Sequence, residues 1–206
     1  MQELLPGVFH WTAKHPKLGI EVSCHYASGS ATAIDPLLPA EGIEWFEERG
    51  VERIVLSTRH HLRDSERLVE RFGCPILCHE SGLHEFEDGP EVAGFSFGDR
   101  LAPDVVALEM DAISPDDTVL RIEAGGGALL FADSVIHYGR LGFVPDNLIG
   151  DDPEGVKAMI RRRCEPLLEE DFEVLLFAHG TPLVDGAREA LRSFASSSEG
   201  PASGPS

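Results

Sequence analysis

The sequence has few basic residues and no long apolar run. Its 17 lysines and arginines face 36 aspartates and glutamates, which gives the 206-residue chain a formal charge of −19. Such a charge repels nucleic-acid phosphates and anionic membrane surfaces, so we expect neither as a partner. No stretch of about 18 apolar residues could span a bilayer, and the start M-Q-E-L-L-P-G lacks the basic and apolar regions of a secretion signal. We therefore expect a cytoplasmic protein.

Cysteine is also scarce. The four cysteines are too scattered for a disulfide scaffold in a chain that is 42% hydrophobic and can bury a core of its own. Cys74 and Cys78 flank a predicted strand, whose rise of about 3.3 Å per residue sets them roughly 13 Å apart, too far for one metal or one disulfide. The sequence predicts buried thiols in a single domain over residues 1–193, followed by a Ser/Gly/Pro-rich tail over residues 194–206 that we expect to be disordered.

The apolar pattern of the first half predicts strands followed by alternating helices and strands. A strand-rich meander over residues 7–36 precedes a short acidic helix that ends at Gly50. A buried strand over residues 51–58 then leads into a helix over residues 65–72, for which Asp64 is the predicted N-cap.

The second half repeats this order loosely. The glycines 125–127 could suggest a phosphate loop, but a strand follows them, with no lysine or helix N-terminus, so we predict a hairpin turn. The pattern predicts the remaining elements in this order: a strand at 75–79, an acidic loop at 80–90, a hairpin over 95–110 turning at Gly98 and Asp99, strands at 118–124 and 128–132, a helix over 156–168 ending near Pro166, a strand at 172–178, and a last helix capped by Asp185.

Three separated segments resemble the metallo-β-lactamase superfamily in order and spacing. A-T-A-I-D-P-L-L-P, with Asp35, is similar to its early strand and turn; A-L-L-F-A-D-S-V places Asp133 at its bridging carboxylate; L-L-F-A-H-G-T-P-L places His179 at its terminal metal ligand. The resemblance covers nearly the whole chain up to Ser193. It implies an α+β fold, a four-layer αββα sandwich.

The superfamily's His-x-His-x-Asp-His motif is degenerate in this chain, where the strand is followed by S-T-R-H-H-L-R-D-S. Counted from the strand, His61 is the one matching ligand; counted for the Asp, His60 and Asp64 match. Counted from the following helix, His60 falls on the Asp and His61 on the last His. We prefer this third register, because it keeps Leu68 on the core face of the helix.

A second departure lies in D-A-I-S-P-D-D-T, where Ile113 stands at the position of a loop histidine, and an apolar side chain cannot ligate zinc. The resemblance therefore implies that one of two metal sites is absent. It implies a remaining site built from nitrogen and carboxylate ligands that suit one divalent metal, zinc first and iron or manganese less specifically: His60, His61, Asp133 and His179.

Two functions of different classes follow. The first is a hydrolase-like enzyme that uses one metal-activated water on a small ester, amide or thioester substrate. The second is a metal-free, non-catalytic binding or scaffold protein that retains the fold. The ligand candidates also have structural interpretations: the two adjacent histidines as a hydrogen-bonded surface pair, Asp133 as a turn cap, and His179 as a loop anchor.

Two arginines flank the histidine pair. Arg59 and Arg63 either pair with the acidic surface, which is the commoner role, or meet an anionic substrate. The sequence carries no prediction of the substrate's identity or of the oligomeric state.

Overall fold

The computed structural model describes residues 1–197. Its helices are α1 (Glu44–Glu47), α2 (Ser65–Phe72), α3 (Pro153–Leu167) and α4 (Ala187–Ser196). Its strands are β1 (Gln2–Leu5), β2 (Val8–Lys14), β3 (Glu21–Ala27), β4 (Thr32–Ile34), β5 (Arg53–Val55), β6 (Ile76–His79), β7 (Val92–Phe95), β8 (Arg100–Ala102), β9 (Val105–Glu109), β10 (Thr118–Ile122), β11 (Ala128–Phe131), β12 (Ile136–His137), β13 (Leu141–Gly142) and β14 (Val174–Phe177).

The strands form two principal sheets. The first has the order β1-β2-β3-β4-β5-β6-β7, antiparallel through β4 and parallel from β4 to β7. The second has the order β14-β11-β10-β9-β8, with β14 parallel to β11. Strands β12 and β13 pair with each other at the rim. Because parallel strands end at the same edge of a sheet, the loops that follow them lie together at that edge.

Three apolar cores separate four layers. One core lies between the sheets and contains Ile34 from the first and Leu130 from the second. A second core packs the outer face of the first sheet against Phe46 and Leu68 of α1 and α2. The third packs the outer face of the second sheet against α3 and α4, which contribute residues such as Leu191. Because side chains alternate between the two faces of a strand, each sheet contributes residues to two cores. The predicted αββα sandwich is confirmed.

Several local predictions are confirmed. Helix α2 has the predicted bounds, and Gly73 ends it in the left-handed region with a φ of 65°. The three glycines join β10 to β11 as a hairpin in which Leu120 pairs with Leu130, and all three have positive φ. The four cysteines are buried and free.

The predicted hairpin over residues 95–110 is wrong. Strand β7 belongs to the first sheet, next to β6, whereas β8 and β9 pair in the second sheet. The turn at Gly98 and Asp99 therefore carries the chain from one sheet to the other. Alternating polarity marks a half-buried strand, but it does not identify the sheet in which the strand pairs.

One predicted N-cap is right in position, and the other is wrong. Asp64 is the N-cap residue of α2, but its carboxylate accepts a hydrogen bond from the backbone N–H of Leu38, at 2.8 Å, in place of a helical N–H. Gly186, with a φ of 66°, stands at the cap position of α4 in place of Asp185. In each case a tertiary or backbone geometry replaces the local hydrogen bond on which the prediction relies.

Some boundaries differ from the predictions. The strand predicted over residues 51–58 is limited to β5, and the acidic loop contains a 3-10 helix at Glu80–Phe86. Helix α4 continues to Ser196 and buries Phe194, so the start of the predicted tail is folded. The remainder of that tail, residues 198–206, lies outside the described residues. Within residues 1–197, no helix combines the length and apolar character needed to cross a membrane.

Candidate metal centre

The two sheets meet at the edge where their parallel strands end. The backbone N–H of Ser23, on β3, donates to the carbonyl oxygen of Ala178, after β14, at 2.9 Å. The N–H of Thr118, at the start of β10, donates to the carbonyl oxygen of Ser57, after β5, at 3.0 Å. Each of these hydrogen bonds joins the segment that follows a strand of one sheet to a strand of the other sheet.

Three predicted ligands converge at this edge. His61 ends the 3-10 turn after β5, Asp133 follows β11 and His179 follows β14. Each side chain offers one ligand atom, and these atoms all lie within 4.8 Å of one another. The Oδ1 atom of Asp133 lies 3.0 Å from Nε2 of His179 and 3.4 Å from Nε2 of His61.

His60 does not join this group. Its side chain is exposed and lines the same pocket as the other three. The structure thus brings three of the four predicted ligands together, and the ligand role of His60 stays a prediction.

Asp35 orients the imidazole ring of His61 through the ring nitrogen that is turned away from Asp133. Its Oδ2 atom lies 3.0 Å from Nδ1 of His61, and its Oδ1 atom accepts the backbone N–H of Ser57 at 2.8 Å. The Ser57 hydroxyl donates to Oδ2 at 2.5 Å. With Nδ1 held by a carboxylate, Nε2 of His61 faces Asp133 and is the nitrogen available to a cation, which is the usual arrangement around metal-bound histidine.

The local charges are strongly coupled. Burial lowers the pKa of His61, but the attraction of Asp35 and Asp133 outweighs it and raises that pKa to about 9. Burial raises the pKa of Asp133, but the two neighbouring imidazoles hold it well below its usual range. Asp133 is therefore ionised and His61 protonated at neutral pH when no cation competes for the site.

The loop over residues 111–118 contributes carboxylates behind the pocket and an apolar wall to it. Ile113 lines the pocket, so the position expected for a loop histidine offers no ligand atom. Asp116 accepts the backbone N–H of Arg59 at 2.7 Å and also forms an ion pair with its guanidinium. Burial, followed by the charge of Asp133, raises the pKa of Asp117 to about 8, and the Ser134 hydroxyl donates to this carboxyl group.

The pocket has a volume of about 630 Å³. It is lined by residues between 15 and 22, by the 3-10 turn with the three-residue group, and by residues between 136 and 148. This size suits a small molecule and leaves the candidate ligands accessible from solvent.

Several proteins of solved structure share the fold of this chain. A metallo-β-lactamase family protein from Thermus thermophilus superposes with a TM-score of 0.63 at 16% identity, over 94% of this chain and 79% of that chain. The protein VMB-1 superposes with a TM-score of 0.68 at 14% identity, over 94% and 93% of the two chains. This chain has the metallo-β-lactamase fold.

Another protein of similar structure, TTHA1623, was crystallised in a di-iron-bound form; it has a TM-score of 0.58 and 20% identity, over 84% of this chain and 88% of that chain. No family profile and no curated protein matches the sequence. At these identities the metallo-β-lactamase fold is shared, and the chemistry of this chain has to be argued from its own residues.

Sequence reasoning misses the roles of two residues of the site. The sequence shows Asp35 as part of an early strand motif, without its partner His61, which lies 26 positions away. It favours a surface role for Arg63, yet this residue lines the pocket. The available signal is weak: both residues follow a strand that ends at the same edge of the first sheet.

Proposed function

We propose that the chain is a metal-dependent hydrolase that uses one divalent cation, held by His61, Asp133 and His179, on a small ester, amide or thioester. The observation that carries the proposal is the convergence of two imidazole Nε2 atoms and one carboxylate oxygen at the floor of an open pocket. Two nitrogens and one oxygen suit zinc, and suit iron or manganese less specifically. Three protein ligands leave a position for water or substrate.

The surrounding residues support this donor set. When bound, the cation would supply Lewis-acid polarisation of the substrate and activation of water. Asp35 fixes the ring of His61 in the tautomer that presents Nε2, and Asp133 supplies the negative charge. The ionised Asp133 balances part of the charge of a divalent cation.

The alternative is a metal-free binding protein, and one observation favours it. His61, Asp133 and His179 already form a charge-paired group with contacts of 3.0 and 3.4 Å, which satisfies a partly buried carboxylate without a cation. A cation must displace the proton of His61 to bind there.

Metal analysis of the full chain, purified without chelator, tests the proposal. We expect about one equivalent of zinc, iron or manganese, lost in His61→Ala and in His179→Ala, because a site with three protein ligands loses most of its affinity with one ligand removed. His84→Ala, at an exposed histidine outside the pocket, is the matched control. His60→Ala tests the fourth predicted ligand and should keep the metal if three residues suffice.

Thermal unfolding with and without chelator separates the two functions. A cation that binds only the native state raises the midpoint, so its removal should lower the midpoint in the wild type and have no effect in His61→Ala. Absence of metal together with an unchanged midpoint would reject the enzyme and favour the metal-free protein. With metal present, hydrolysis of 4-nitrophenyl esters and thioesters tests the reaction class.

A further inference from the structure

The pocket is rich in basic side chains although the whole chain is acidic. Across the sequence, 36 acidic residues face 17 lysines and arginines. Among the described residues that line the pocket, Asp133 is the one carboxylate, and the basic or imidazole side chains are His15, Arg59, His60, His61, Arg63 and His179. This local excess of positive charge favours an anion as the ligand.

Arg63 is held rigidly at the edge of the first sheet. Its Nη1 atom donates to the carbonyl oxygens of Ser23, at 2.7 Å, and Asp35, at 2.6 Å. Its backbone has a φ of 46°, a left-handed conformation that is unusual for a residue with a side chain. Strained residues of this kind concentrate at functional sites, where the surrounding structure maintains them.

The remaining donors of Arg63 are unused. Its Nε and Nη2 atoms are buried and have no hydrogen-bond partner among the described residues. Within residues 1–197, no carboxylate lies within ion-pair distance of its guanidinium, in contrast to Arg59, which is paired with Asp116. Two adjacent N–H donors in one plane match the two oxygens of a carboxylate.

The mouth of the pocket is apolar. Six large hydrophobic side chains are exposed among the described residues, and four of them line this pocket: Leu18, Ile20, Tyr138 and Leu148. They come from two separate segments of the chain, residues 15–22 and residues 136–148, and so offer apolar surface to a bound group. An exposed apolar patch beside positively charged donors indicates a ligand that has both an apolar part and a negative charge.

We propose that the substrate is a small amphiphilic anion whose carboxylate is bound by the guanidinium group of Arg63 and whose apolar part packs against the exposed apolar side chains of the pocket. The inference rests on the proposed hydrolase function and names the class of its substrate. Arg63 and His61 are both attached to Asp35, one to its carbonyl oxygen and the other to its carboxylate.

A pair of chromogenic esters tests this specificity with the metal-loaded wild type. In mono-4-nitrophenyl adipate the acyl chain ends in a carboxylate, and in 4-nitrophenyl hexanoate it ends in a methyl group. We expect kcat/KM to be about 10- to 100-fold higher for the adipate, because a charge-assisted hydrogen bond to a buried site discriminates by that factor. Equal kcat/KM for the two esters would overturn the proposal.

Arg63→Gln should remove the preference, so that its kcat/KM values for the two esters agree within about threefold. Arg162→Gln, at an exposed arginine of α3, removes the same charge outside the pocket and should keep the preference. Arg63→Lys retains the charge and loses the planar pair of donors, so we expect an intermediate preference. A preference that persists in Arg63→Gln would contradict the assignment.

A binding measurement keeps the inference separate from the proposed function. The full-length chain, labelled with ¹⁵N-arginine and stripped of metal, is titrated with hexanoate and with hexanamide, and the resonance absent in Arg63→Lys identifies the Nε–H group of Arg63. A shift of this resonance with hexanoate and none with hexanamide supports the carboxylate site even if neither ester is hydrolysed. No shift with hexanoate would reject it, whatever the outcome of the metal analysis.

Discussion

Asp35 connects the pocket to the first sheet through both its carboxylate and its carbonyl oxygen. It is fully buried, and its backbone φ of 47° is left-handed. Burial raises the pKa of its carboxyl group, but His61, Arg63 and the Ser57 hydroxyl stabilise the anion more strongly, so the net pKa is lowered. One residue thus holds a candidate metal ligand and the candidate anion-binding arginine in place.

Replacement of Asp35 by Asn should weaken metal binding about 10- to 100-fold, because a carboxylate partner both orients a ligating imidazole and increases its basicity. Asp88→Asn, at an exposed carboxylate, is the matched control. Competition with a fluorescent chelator measures the affinity, and urea unfolding verifies that the variant is folded. Unchanged affinity in a folded Asp35→Asn protein would remove Asp35 from the site.

At the scale of elements, the connection after β14 decides the position of His179. Gly180 has a φ of 104° and pairs with His137 of β12 through an isolated parallel bridge. A Cβ atom at position 180 would overlap the carbonyl oxygen of His137. The rim strand β12 therefore approaches the loop so closely that only glycine fits there.

Gly180→Ala and Gly150→Ala form a matched pair. Gly150 has a φ of 105° and nothing within 4 Å of an added Cβ atom, so its replacement carries backbone strain alone, of about 1–3 kcal/mol. We expect Gly180→Ala to lower the free energy of unfolding by at least about 1 kcal/mol more than Gly150→Ala, because a steric overlap adds to the strain.

Gly180→Ala should also weaken metal binding, since the adjacent His179 has to move with the loop, whereas Gly150→Ala should not. Urea unfolding and metal titration measure the two effects. Equal losses of stability and unchanged metal affinity in Gly180→Ala would show that the close approach of β12 does not position His179.

At the scale of the whole molecule, the stability of the chain depends on two buried histidines in the first sheet. His10 and His25 are paired across β2 and β3, with ring centroids 5.2 Å apart. Burial and then the N-terminal charge lower the pKa of His10 to about 4, and burial and then His10 lower the pKa of His25 well below its usual value. Asp35 attracts a proton to His25 and Arg63 repels it, and burial outweighs both.

The sign of the resulting pH dependence follows from proton uptake. Below about pH 6.5 the unfolded chain protonates these two histidines and the folded chain does not, so the pair by itself lowers the free energy of unfolding as the pH falls. His61 and Asp117, whose pKa values are raised, act in the opposite direction, so the pair is tested by comparing variants. We expect the change in the free energy of unfolding between pH 7 and pH 5 to differ by about 1–2 kcal/mol between the wild type and His10→Asn, measured by urea unfolding in the presence of chelator. His84→Asn, at an exposed histidine, should follow the wild type; the same profile in His10→Asn and the wild type would contradict the assignment.

The sequence by itself determined most of the order of the helices and strands. Periodicity identified α2 to the residue and placed Leu68 in the core, because burial of an apolar stripe is a local property of the chain. The motif resemblance led to the fold, to Asp133 and to His179. The single domain and the cytoplasmic location stay predictions.

Only the tertiary structure decided which side chains meet at the pocket. His60 and His61 are adjacent in sequence, yet one is exposed on the wall and the other is buried against Asp35, because the 3-10 turn directs consecutive side chains to different sides. The side chain of Arg63 is held by two backbone carbonyl oxygens that lie 28 and 40 residues away in the sequence. The choice of sheet in which a strand pairs, and the meeting of strand ends at one edge, depend on residues that are far apart in the sequence. No local pattern encodes them.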